Sequence, residues 1–80
     1  MTISDCVRLA LTKAKRKNTD LCQYLGLTKL QTLNNKFIRD SWSGKDLVKV
    51  AELTGAKLML VYPDELNIQI RSDEEKKAEE

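Results

Sequence analysis

The sequence predicts a mainly α fold: four to five helices closed by a C-terminal β-hairpin. Three observations predict it. Apolar residues recur at helical spacing in successive stretches as far as Thr54. Gly26, Gly44 and Gly55 punctuate those stretches where helices stop or start. From Lys57 onward the pattern becomes strand-like, with Pro63-Asp64-Glu65 as turn chemistry between two short apolar runs.

Taken in order, Thr2 caps the first helix, with Asp5 three residues on as a capping-box variant. Ile3, Val7, Ala10, Leu11 and Ala14 trace its inward stripe. Lys13, Lys15, Arg16 and Lys17 end it, as cations suited to the negative end of the dipole or as groups that also reach a phosphate. Asn18 and Thr19 open the second helix, either as plain caps or as caps that also bind nucleic-acid backbone. Leu21, Cys22 and Leu25 share one face of it, and Gly26 stops it. Thr28 is positioned to cap the third helix, in which Leu30, Leu33 and Phe37 form the apolar stripe. Ser43 with Asp46 reads as another capping-box variant, and Trp42 with Leu47 as a hydrophobic staple. The fourth helix runs roughly from Gly44 to Thr54 with Leu47, Val50, Ala51 and Thr54 in register, and Gly55 ends it.

The hairpin follows, about five residues a side. Leu66, Ile68 and Ile70 alternate with polar residues. Met59 and Val61 point away from Leu58, Leu60 and Tyr62, so the first strand is apolar on both faces. A two-stranded hairpin is barely stable alone. It packs against the helices of its own domain, pairs with a second copy, or does both. Met59, Val61, Ile68 and Ile70 are the dimer-contact candidates.

The chain of 80 residues makes one domain, residues 1–71, with the hairpin over 56–71 and an acidic tail over 72–80. The tail holds one small apolar residue and reads as disordered. A core this small invites oligomerisation as a supplement. The net charge of +2 is unevenly spread. Residues 1–62 carry eleven Lys/Arg against five Asp/Glu, and residues 63–80 carry three against seven. A basic body points to a polyanionic partner. Cys6 and Cys22 lie in apolar helical faces and read as reduced core residues. With no histidine and no Cys-x-x-Cys, neither a metal site nor a cofactor is expected. The usual acid, base and nucleophile sets are absent, so the chain reads as a non-enzyme. No apolar run reaches the length of a signal peptide core or a membrane span, which places the chain in the cytoplasm.

Leu21 to Phe37 therefore reads as helix, tight turn, helix. Leu21, Cys22 (where a small residue is preferred), Leu25, Gly26, Leu27 and Thr28, with Leu33 as the next inward anchor, resemble the Cro/repressor-like (XRE) helix-turn-helix family. Asn35-Lys36-Phe37-Ile38-Arg39-Asp40-Ser41-Trp42-Ser43 and the helix after it resemble a variant common in small phage and mobile-element regulators. Together the two likenesses cover about residues 2–58. One departure is visible: from Gly26 to Leu33 the chain is one residue longer than the usual pattern, which displaces the turn or the start of the recognition helix.

The outer side of the third helix holds amides and hydroxyls, one positive charge and no negative one. Such a face suits base edges and phosphates, because Gln and Asn pair bidentately with adenine. Thr28, Gln31, Thr32 and Asn35 are the base-contact candidates. Lys17, Asn18, Thr19, Lys29, Lys36, Arg39, Ser43 and Lys45 are the phosphate-contact candidates. The resemblance implies a sequence-specific regulator of transcription, a repressor, that binds double-stranded DNA as a homodimer on a palindromic site. It further implies that the copies meet through the C-terminal hairpin, as Cro-like members do through a C-terminal strand. Two other classes stand beside it. One is a protein-interaction module on the same fold, an antitoxin or phage anti-defence protein that binds a host effector. The other is a non-specific or RNA-binding accessory protein.

Overall fold

The computed structural model describes residues 1–71 of the chain. The acidic tail expected over 72–80 lies outside the described residues. In order, the elements are α1 (Ile3–Ala14), α2 (Asn18–Tyr24), α3 (Leu30–Arg39), α4 (Gly44–Thr54), β1 (Leu58–Val61) and β2 (Asn67–Ile70). The mainly helical architecture with a terminal antiparallel hairpin is the one the periodicity predicts.

Each helix stops by the same local device. After α2, Gly26 takes φ +76°, its N–H donates to the Gln23 carbonyl, and the Leu27 N–H reaches back to the Cys22 carbonyl. That pair of bonds is the Schellman arrangement, and it satisfies carbonyls the helix leaves orphaned. Gly55 repeats it after α4. Lys15 and Asp40 take the left-handed position after α1 and α3 without being glycine.

Starts are more varied. Thr2 and Asp5 form a full capping box on α1, and Ser43 and Asp46 form another on α4. α2 begins one residue earlier than the sequence suggests: Lys17 is its cap residue, and the Asp20 carboxylate accepts the Lys17 N–H at 3.0 Å. Asn18 is therefore the first helical residue and not a cap. Thr28 does not cap α3 either. Lys29 occupies that position with no side-chain bond.

The core sits where α1, α2, α3 and α4 meet. Leu21, Leu33 and Val7 are fully buried, with Leu11, Phe37, Cys22 and Val50 packed around them. Each such side chain contributes roughly 1.5–3 kcal/mol by leaving water. Three inward assignments differ from expectation. Ile3 is exposed and Ser4, one position on, is buried in its place. Leu30 is 42% exposed at the first position of α3. Cys6 is exposed, so only Cys22 of the two free thiols is a core residue.

Ser4 turns inward because α1 and α3 cap each other. Its hydroxyl donates to the Phe37 carbonyl at 2.9 Å, a group near the end of α3. Its backbone N–H, in the first turn of α1, donates to the Asp40 carboxylate at 2.7 Å. Trp42 closes the joint: its indole Nε1–H donates to the Ser4 hydroxyl at 3.0 Å. Its ring meets Phe37 edge-on with centroids 4.9 Å apart. The negative end of one helix thus faces the positive end of another, an arrangement their dipoles favour. The consequence for function is that α3 is fixed at both its buried face and its C-terminal end.

The hairpin stands largely clear of this body. Its register pairs Leu58 with Ile70, Met59 with Gln69, Leu60 with Ile68, and Val61 with Asn67. Leu58 is half-buried towards α4, while the remaining strand residues are exposed. Buried Val48, outside the expected α4 stripe, lines a shallow notch between α4 and the base of the hairpin.

Candidate nucleic-acid interface

α3 is the element that could present a ligand-reading face. Leu33 and Phe37 anchor it inward, and no Asp or Glu occurs within its ten residues. On the outer side Gln31, Thr32 and Asn35 are exposed, with Thr28 and Lys29 exposed just before them. The Gln31 amide Nε2 donates to the Asn35 Oδ1 at 3.2 Å, one turn along. The bond holds the two amides as a unit and leaves each with further donor or acceptor capacity. No side chain caps α3, so its first N–H groups lack the local acceptor that Thr2 and Ser43 give α1 and α4.

The cations divide into two groups. Lys29, Arg39 and Lys45 are exposed and, among the described residues, have no ion-pair partner. Lys36 differs. Its ammonium lies 2.8 Å from the Asp46 Oδ2, with the two side chains only 23% and 16% exposed. The same Oδ2 accepts the Ser43 N–H at 3.1 Å. Burial pushes the Asp46 carboxyl up, but the bonds from Lys36 and Ser43 outweigh it and hold the group below its ordinary value. This pair ties the first turn of α4, beside Ser43 and Lys45, to the last turn of α3. Lys17, Asn18 and Thr19 are exposed at the start of α2. Among the described residues no hydrogen bond or ion pair links them to α3.

No protein-family model, curated protein or solved structure matches this chain. Its function must be read from its own residues.

Directly paired residues in an antiparallel ladder share a face. Leu58, Leu60, Ile68 and Ile70 therefore lie on one side of the hairpin, and Met59 and Val61 lie on the other with Asn67 and Gln69. The four dimer-contact candidates are split between faces, and the continuous apolar face is the one carrying Ile68 and Ile70. Among the described residues, no three His, Cys, Asp or Glu side chains cluster as metal ligands, and no helix is long and apolar enough to cross a membrane.

Sequence reasoning missed three residues that shape this site. Ser4 and Asp40 set the end of α3, and Asp46 neutralises Lys36. Asp46 was legible as a capping residue, but its cross-helix partner lies ten positions away.

Proposed function

We propose that this chain is a sequence-specific double-stranded-DNA-binding regulator that acts as a homodimer, in the manner of the Cro/repressor-like proteins it resembles. The observation that carries the reading is the outer ridge of α3. An acid-free, amide-bearing helix face is packed from behind by Leu33 and Phe37 and flanked by cations that have no ion-pair partner among the described residues. In a major groove, Gln31, Thr32 and Asn35 would meet base edges, while Lys29, Arg39, Ser43 and Lys45 would position the backbone. Two copies joined through their hairpins would read half-sites roughly 34 Å apart.

Selection of bound duplexes from a random pool tests the reading. The expected result is a palindromic consensus that outcompetes random duplex. Replacing Gln31 by Ala should cost about 1–3 kcal/mol at one base position and relax the preference there. An unchanged preference after Gln31, Thr32 and Asn35 are all replaced would refute the recognition face.

One observation favours a second reading. Leu60, Ile68 and Ile70 on the apolar face of the hairpin are exposed and could seat a different protein, as an antitoxin or anti-defence module would require. A stoichiometric partner that survives nuclease treatment, with no duplex selected, would favour it.

A further inference from the structure

We propose that Asp46 is a restraint on charge-driven binding: it withholds the Lys36 ammonium from DNA phosphates, so that affinity depends on the base-reading ridge. The proposal rests on the DNA-binding reading above. Lys36 follows Asn35 directly in α3 and lies in the last turn of that helix. Its charge is already spent internally. The 2.8 Å contact to Asp46 is mostly shielded from solvent, unlike the Arg8–Asp5 pair, which spans 3.7 Å with both side chains more than half exposed. An exposed pair of that kind exchanges readily with water and salt, whereas a shielded one is screened far less.

Asp46 is itself held by three groups. Its backbone N–H donates to the Ser43 hydroxyl at 3.1 Å, and its Oδ2 receives both the Ser43 N–H and the Lys36 ammonium. The carboxylate cannot swing away without undoing the cap of α4. For Lys36 to reach a phosphate, it would have to leave behind a half-buried carboxylate facing that phosphate. Like charges at that distance oppose the approach. The ridge therefore carries less non-specific attraction than its lysine count suggests. Sequence-independent affinity for duplex comes almost entirely from such phosphate contacts, so suppressing one raises the ratio of specific to non-specific binding.

The test is the salt dependence of binding to a mixed-sequence duplex by the full chain and three variants: Lys36→Gln, Asp46→Asn and the double substitution. Each phosphate neutralised adds about 0.9 to the slope of log K against log salt. Lys36→Gln is expected to leave the slope unchanged. Asp46→Asn is expected to steepen it by about 0.9, because Lys36 is released while the amide oxygen still accepts the Ser43 N–H. The double substitution should return the slope to that of the natural chain, which separates release of Lys36 from simple removal of a negative charge. Partial unfolding of a variant scales its apparent affinity by the folded fraction and leaves the slope in place. A shallower slope for Lys36→Gln, an unchanged slope for Asp46→Asn, or an equal rise in Asp46→Asn and the double variant each overturns the restraint while leaving DNA binding intact. Failure of the natural chain to bind duplex at any salt overturns the DNA reading, and the restraint falls with it.

Discussion

Deleting one oxygen, by Ser4→Ala, should destabilise this protein by about 2–3 kcal/mol. Ser4 is 2% exposed, and its hydroxyl serves two groups. The Phe37 carbonyl loses its donor, and the Trp42 indole N–H loses its acceptor. A buried polar group left unpaired costs roughly 1–3 kcal/mol, so two such groups bound the loss at about 2–6. Trp42 is only partly buried, and water that reaches its nitrogen offsets some of that cost, which brings the expectation to the lower end. Urea titration followed by circular dichroism is the assay. With a slope near 1–2 kcal/mol/M, the midpoint should fall by about 1–3 M at unchanged slope. Trp42→Phe keeps the edge contact with Phe37 but removes the same hydrogen bond, so the two substitutions should couple by about 1 kcal/mol in a double-mutant cycle. A Ser4→Ala midpoint within 0.3 M of the natural chain, or strict additivity with Trp42→Phe, would refute the joint as described.

Three other outcomes are expected. The Ser4 backbone N–H, which donates to the Asp40 carboxylate at 2.7 Å, holds that carboxyl below its ordinary value of 3.8 against an opposing effect of burial. The folded-state value is the lower one, so the resulting stability is present above 3.8 and lost as the pH falls towards the folded value; Asp40→Asn should therefore flatten the acid limb of a melting-temperature profile. Lys15 closes α1 at φ 58°, a conformation that costs a side-chain-bearing residue about 1–2 kcal/mol. Lys15→Gly should recover up to about 1 kcal/mol after glycine's own entropy cost, seen as a melting temperature a few degrees higher. Finally, Leu60→Glu should shift the solution mass towards monomer, whereas Val61→Glu on the opposite face should not. Identical masses for the two variants would argue against the apolar face as the subunit contact.

Much of the fold was legible because local rules decided it. Thr2 with Asp5, Ser43 with Asp46, and the glycines at 26 and 55 act within a few residues of themselves, and all behave as their spacing predicts. The alternation in the hairpin was legible for the same reason. The misses share a different cause. Ile3 and Ser4 both fit a helical stripe that continues through Val7 and Leu11, and partners 33 to 38 residues away decide between them. Cys6 follows the same rotation and ends outside. Met59 and Val61 were grouped with Ile68 and Ile70 because strand register, which links the two faces, is a property of the pair and not of either strand. At the candidate site the exposed amides of α3 followed from periodicity. The pairing of Lys36 with Asp46 did not, since it requires knowing how α4 crosses α3.

The mutual capping of α1 and α3 makes the first few residues indispensable to a helix far along the chain. A fragment begun at Cys6 would keep every predicted DNA contact and most of α1. It would nevertheless strip the Phe37 carbonyl and the Asp40 carboxylate of their donors, and the indole of Trp42 of its acceptor. Trimming that end to tidy an expression product would thus loosen the far end of α3.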